Sequence, residues 1–211
     1  MRDVLSTPGA EHFVPETESL SELAEAACTC RGCPLWADAT QTVFGEGPRT
    51  ASLVLVGEQP GDQEDRQGAP FVGPAGRVLW QCVAEAGIDR TEVYVTNAVK
   101  HFKHTSPQRG KRRLHKKPNT AEIEACHPWI EAELRAVRAR AVVALGATAA
   151  RSLLGTNVAI ASNRGVRFDL DGRPLCVTYH PSAVLRADDR AVEIRSAIVE
   201  DLRTVATWLP A

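Results

Sequence analysis

The sequence predicts an α/β protein, a three-layer α/β/α sandwich around a short, mostly parallel four-stranded sheet. Three observations carry this. Four short, Val-rich runs are apolar at successive positions, which suits strands covered on both faces rather than strands with one wet face. Each run is followed by a segment of helical pattern, giving a βαβαβαβα order. The 211 residues, 44% of them hydrophobic, suffice to bury one full core, so a single domain over residues 1–211 is expected.

The predicted strands are Ser52–Val56 (SLVLV), Val93–Val99 (VYVTNAV), Ala141–Leu145 (AVVAL) and Leu175–Tyr179 (LCVTY). Predicted helices run over Ala75–Ala86, Thr120–Arg138, Thr148–Leu154 and Arg190–Leu209. The second has a defined start: Asn119 or Thr120 can cap the free N–H groups just after Pro118, with Glu122 and Glu124 in the first turn. In an open sheet of this kind, sites form beyond the C-terminal ends of the strands. There the sequence places GEQPG (Gly57–Gly61), a basic loop, GATAA and HPS (His180–Ser182), of which three can meet in one cleft.

Charge narrows the function class. The formal net charge is only −1, yet Lys100–Lys117 (KHFKHTSPQRGKRRLHKK) holds eight Lys or Arg and three His, with no acidic residue between Glu92 and Glu122. Concentrated positive charge of this kind suits a polyanion, which points to nucleic acid, although a charge run is as readily a solvated surface loop. Inside it, His115 is expected to be biased toward the neutral, nucleophilic form by the surrounding cations. Aromatics make up 5% of the chain, too few for a stacking platform along a single strand. The first twenty residues lack the pattern of a secretion signal, and no run of eighteen apolar residues occurs, so a soluble, cytoplasmic protein is expected.

Six cysteines in such a compartment suggest reduced thiols rather than a disulfide framework. Cys30-Arg-Gly-Cys33 is a CxxC in which Gly32 lets both thiolates turn toward one metal site; a redox pair is the rival reading. The remaining ligands can come from Cys126, Cys82 or Cys176, or from His101 or His104, and spacing does not choose among them. In GEQPG the glycines permit a sharp turn that projects Glu58 and Gln59 into the cleft. Phe71, in PFVGPAGR, is a core residue or a platform for a base. His180 ends the last strand, with Ser182 able to cap a local turn.

Together, CxxC, GEQPGDQEDRQGAPFVGPAGR, VYVTNAVK, Cys126 in the second helix, LGATAA and YHPS resemble, in order and over nearly the whole chain, the iron-sulfur uracil-DNA glycosylases of the family-4 type. Two departures matter. The usual GEGPG is GEQPG here, and KRRLH (Lys111–His115) looks like the loop that marks the X-type uracil-DNA glycosylases (UdgX), whose usual form is KRRIH. The resemblance implies the uracil-DNA glycosylase fold, with a cluster-binding segment at about residues 20–40 and a basic DNA-binding loop at about 100–118. It implies excision of uracil from DNA followed by covalent attachment of His115 to C1′ of the abasic site.

It also implies residue roles. The ligands of a 4Fe-4S cluster would be Cys30, Cys33, His101 and Cys126, with Cys28 a rival for one place. Phe71 would stack on uracil, Asn97 would read its amide edge, and His180 would stabilise charge on the departing O2, beside Gly57 and Ser182. Gln59 stands where some relatives carry a water-activating carboxylate. Glu58 would orient His115, accept its proton or stabilise the sugar cation, and Arg113 would contact phosphate or hold the loop. Lys111, Arg112, Lys116 and Lys117 would contact DNA, and the partner would be uracil-containing DNA, single-stranded and duplex, bound by a monomer. An ordinary turning-over glycosylase and a non-catalytic iron-sulfur DNA-binding protein are the competing readings.

Overall fold

The computed structural model of the chain describes residues 8–105 and 113–209. A five-stranded sheet forms the centre. Its strands are β1 (Leu53–Gly57), β2 (Val93–Asn97), β5 (Ala141–Leu145), β6 (Arg167–Leu170) and β7 (Arg173–Thr178). They lie in the order β2-β1-β5-β7-β6, all parallel except β6, which runs antiparallel to β7. The four apolar runs are the four parallel strands. The fifth, β6, went unread because its residues alternate between exposed and half-buried and so form no apolar run. It closes onto β7 through Asp171 and Gly172, both at positive φ (51° and 81°), the backbone that an Asp-Gly hairpin turn requires. That dipeptide was the available signal.

Alternate residues of each parallel strand face opposite helical layers. Leu53 and Leu55 of β1 pack with Leu79 and Val83 of α3 (Pro74–Glu85) and with Ile198 and Leu202 of α7 (Ala191–Ala206). Val54 and Val56 face Ile130 and Leu134 of α4 (Thr120–Val137) and Ala149 and Leu153 of α5 (Ala147–Leu154). At about 25 cal/mol per Å2 of apolar surface removed from water, these two layers hold the sheet. The start of α4 is a capping box: Asn119 Oδ1 accepts from the Glu122 N–H and Glu122 Oε2 from the Asn119 N–H, at 2.9 and 2.7 Å. Arg138, expected as the last helical residue, is instead its left-handed cap.

Two further helices precede the site: α1 (Leu20–Ala27), started by Ser19, and the short α2 (Asp62–Gln67), which follows the GEQPG turn. A single helical turn, α6 (Ile160–Asn163), leads into β6. Two-residue strands β3 (His104–Thr105) and β4 (Leu114–His115) pair antiparallel, His104 opposite His115. They form the stem of the basic loop. Lys111 and Arg112 lie outside the described residues. No described helix is long and apolar enough to cross a membrane.

Candidate active site

Strand order reverses between β1 and β5, since the chain steps from β1 to β2 on one side and to β5 and β7 on the other. A crevice must open there, above the C-terminal ends of the strands. A cleft of about 470 Å3 occupies it, a size suited to a small ring system. All four strand-end peptides contribute, one more than expected: Glu58 after β1, Asn97 ending β2, Gly146 and Thr148 after β5, and His180 and Ser182 after β7.

Gly57 is the floor. A Cβ built on it would lie 2.4 Å from Asn97 Oδ1 and 2.5 Å from Phe71 Cζ, so only glycine lets these two side chains meet over the strand end. Phe71 is buried at positive φ (53°), a costly backbone for an aromatic residue. Its turn is fixed from two directions. Gly76 leaves room for the Phe71 carbonyl, which a Cβ there would meet at 1.8 Å, and buried Glu64 accepts from the Gly73 N–H at 2.7 Å. Sequence reading missed Glu64, and nothing in its spacing marked it.

His180 faces Phe71 with ring centroids 6.1 Å apart. Its Nδ1 accepts from the Ser182 N–H at 3.1 Å, so in the neutral ring the proton sits on Nε2 and is free to be donated into the cleft. Burial first, then Arg186 and His115, push its pKa down to about 4. The ring is therefore a neutral donor. Ser182 acts through His180, as a cap, rather than on a ligand of its own.

Across the cleft, His115 Nε2 lies 3.4 Å from Glu58 Oε1, and the other oxygen of Glu58 accepts from the Thr148 hydroxyl. The pKa of His115 is lowered, as expected, but not for the expected reason. Burial is the main cause, Glu58 opposes it, and the cation that adds to it is Arg186 on the facing wall rather than the neighbouring lysines.

Gln59 and Arg113 build the wall of the cleft. Gln59 is buried, and its amide donates to the Lys103 and Lys116 carbonyls (3.1 and 3.2 Å) and accepts from the Lys103 N–H (3.1 Å). Both its N–H groups and its oxygen tie the β3–β4 stem to the GEQPG turn. A carboxylate could not donate to those carbonyls, which accounts for the amide. Arg113 donates to Asp62 Oδ1 at 2.6 Å and to Asp65 Oδ2 at 2.7 Å, with its guanidinium over the Phe102 ring. It holds the loop; its donors are not turned to a phosphate.

The basic run is likewise not one solvated face. Lys100 is fully buried against Glu133, and Lys103 pairs with Glu122 at 2.6 Å. Sequence distance concealed both acids, which come from α4. Lys116 and Lys117 are exposed, and Lys117 lines the cleft.

The thiols divide in the same way. Cys30, Cys33 and Cys126 are buried in one cluster between α1 and α4, whereas Cys82 and Cys176 belong to the core under α3 and α7. Cys28 is exposed, with Sγ turned to the Ala24 carbonyl, and His104 meets the carbonyls of Thr105 and Asp38. These four lie outside that buried cluster. His101 is buried; the Thr42 hydroxyl donates to the Ala27 carbonyl, so His101 Nε2–H donates to Thr42 at 2.9 Å and leaves Nδ1 its lone pair.

Among the described residues no three such side chains converge on a single-ion site. A four-iron cluster makes a different demand, one donor per iron around a cube. The donor chemistry fits it. Burial, with the other cysteines adding to it, raises Cys33 to about 11 and Cys126 to about 12, and a metal's charge would reverse that. N–H groups already point at two sulfurs: Trp129 Nε1–H at Cys30 and the Lys100 N–H at Cys126, each at 3.3 Å.

Residues 44–203 match the model of the uracil DNA glycosylase superfamily. The chain belongs to this superfamily. It is 36% identical over 195 residues to a type-4 uracil-DNA glycosylase of Thermotoga maritima, covering 91% of this chain and 96% of that one. It is 34% identical over 178 residues to a type-4 uracil-DNA glycosylase of Pyrobaculum aerophilum, covering 79% and 85%. A type-5 uracil-DNA glycosylase of Thermus thermophilus is 33% identical over 172 residues, covering 72% and 73%. For a uracil-DNA glycosylase superfamily member, the cleft at the strand reversal is the candidate active site, and the α/β architecture agrees with that membership.

Proposed function

We propose that the protein excises uracil from DNA and then holds the resulting sugar covalently through His115. The observation that carries the reading is the pairing of His115 with Glu58 at 3.4 Å, on the wall of a cleft that also holds Phe71, Asn97 and His180. A uracil turned out of the stack enters this cleft. Phe71 stacks on its ring, and the Asn97 amide, one donor and one acceptor group, matches a uracil edge better than a cytosine edge.

Excision breaks the bond between C1′ and N1, and the electron pair leaves with uracil. His180 Nε2–H donates to the O2 on which that charge collects, an oxyanion role worth on the order of 10²-fold in rate. The sugar is left cationic at C1′. The lone-pair nitrogen of neutral His115 forms the new bond to C1′. The alkylated ring is a cation until its other nitrogen loses its proton, and Glu58 balances that charge or takes the proton, held by the Thr148 hydroxyl. With the Gln59 amide committed to the stem, no carboxylate at that position activates water.

In the same reading Cys30, Cys33, Cys126 and His101 hold a 4Fe-4S cluster. It would fix α1 against α4 and supply no electrons, because neither step transfers any. Lys116 and Lys117, with Lys111 and Arg112 outside the described residues, would meet DNA phosphates.

The test is incubation with a uracil-containing oligonucleotide followed by denaturing electrophoresis and peptide mapping. Wild-type protein should give a heat- and detergent-stable adduct in a one-to-one ratio without added reductant, mapped to His115, and His115→Ala should release uracil without an adduct. Full adduct yield from His115→Ala, or attachment at Lys116, would refute the reading in favour of Schiff-base chemistry. Similarity to type-4 enzymes favours a second reading, ordinary turnover, which predicts uracil release by wild-type protein with no adduct at all.

A further inference from the structure

The buried ammonium of Lys100 is unused by the chemistry above, yet it sits directly beneath the base-reading residue. Its three donors meet three acceptors: Thr96 Oγ1 at 2.7 Å, the Asn97 carbonyl at 2.9 Å, and the carboxylate of Glu133. Glu133, fully buried in α4, also accepts from Tyr94 Oη and Thr96 Oγ1, both at 2.9 Å, and from the Gly45 N–H at 3.0 Å. The Lys100 N–H reaches Cys126 Sγ on the same helix. A few residues upstream, the Ala98 and Val99 N–H groups donate to the Gly57 and Glu58 carbonyls at 2.9 and 3.0 Å.

We infer that Lys100 is the positioning residue for Asn97, braced against α4 so that the amide is held at the uracil edge. The inference rests on the proposed reading of Asn97. The physical reason lies in how β2 ends. β2 ends at Asn97; the Ala98 N–H ties the following peptide to the Gly57 carbonyl on one side, and the Asn97 carbonyl of the same peptide is held on the other by Lys100. Lys100 grips that peptide by its carbonyl oxygen, and Glu133 holds Lys100 in turn. An ammonium suits this place: it is compact, offers three donors for the three acceptors around it, and pairs with the Glu133 carboxylate in the core. A displacement of about 1 Å at such a contact costs about 10²-fold in rate.

The decisive variant is Lys100→Met combined with Glu133→Gln, which removes both charges at near-constant volume and leaves an acceptor for Tyr94, Thr96 and Gly45. Thr96→Val is the milder second variant, removing one of the three acceptors. Each is compared with wild type and with Asn97→Ala for affinity to free uracil by equilibrium dialysis, first-turnover uracil release with enzyme in excess, and thermal midpoint. We expect the double variant to fold, to bind free uracil and release uracil about 10- to 100-fold less well, and Thr96→Val to lose less in the same direction. In the Asn97→Ala background neither variant should cost anything further, because the loss already runs through Asn97.

A merely structural brace gives another pattern. Folded variants with wild-type uracil affinity, or losses that multiply with that of Asn97→Ala, overturn the positioning role while leaving Asn97 as the reader. Normal excision by Asn97→Ala alone removes the reader and, with it, this inference.

Discussion

Replacing Arg113 with Ala tests whether the hairpin is held by ion pairs or by DNA. Two charge-assisted hydrogen bonds are removed, to Asp62 at 2.6 Å and to Asp65 at 2.7 Å. Each such bond is worth about 1.5–3 kcal/mol, so the pair is worth about 3–6 kcal/mol. Asp65 is fully buried but keeps the Thr40 N–H at 3.0 and 3.1 Å, so the charge left behind is not orphaned and the lower bound applies. About 3 kcal/mol is about 10²-fold in the docked population of the β3–β4 stem. In the reading proposed above, adduct formation runs through His115 on that stem, so it should slow about 10²-fold. Uracil release should fall less than tenfold, because Phe71, Asn97 and His180 lie on other elements. A rapid-quench first turnover, with adduct read on a denaturing gel and uracil by chromatography, separates the two. Because Arg113 is already paired within the protein, the salt dependence of DNA binding should be unchanged. Wild-type trapping by the variant, or a logarithmic salt slope reduced by about 0.9 as when one phosphate is no longer neutralised, would refute the loop-holding role.

Gly57→Ala should abolish uracil excision while leaving the fold intact, since its methyl would occupy the space between Asn97 Oδ1 and Phe71 Cζ; normal excision with an unchanged circular dichroism spectrum would contradict that floor. Replacing Lys116 and Lys117 with Gln should flatten the salt slope by about 0.7 to 0.9 for each phosphate the protein then fails to neutralise, and an identical slope would show them to be only a solvated face. His180 is held neutral down to about pH 4, whereas an unfolded histidine protonates near 6.5, so the unfolded state binds the extra proton between these values. The stability of the neutral ring is complete above about pH 6.5 and is lost as pH falls toward 4, at up to about 1.4 kcal/mol per unit; urea unfolding of His180→Asn should show a shallower decline. Cys126→Ser should lose both iron and soluble protein, whereas His101→Cys should retain a cluster; iron-free, normally folded wild type prepared without oxygen would remove the cluster from the reading.

Chain-local pattern set the four parallel strands and the peptides at their ends. Runs such as Leu53–Gly57 and Ala141–Leu145 are apolar on both faces, and that pattern has no stable home except between two helical layers. The residues that end them, Glu58, Asn97 and His180, inherit their place from strand direction alone. Which charges are spent is set by the folded neighbours instead. Lys100, Lys103 and Arg113 read as one basic patch with His115 and Lys116, but Glu133, Glu122, Asp62 and Asp65 approach from other elements and neutralise them. The ligand set was ambiguous for the same reason: Cys28 and Cys30 are neighbours in sequence, yet one faces solvent and the other is buried against Trp129. Local pattern fixes where a backbone goes because periodicity is a property of neighbours in the chain. Whether a side chain is paired, buried or free depends on groups brought from far away, and no spacing along the chain records them.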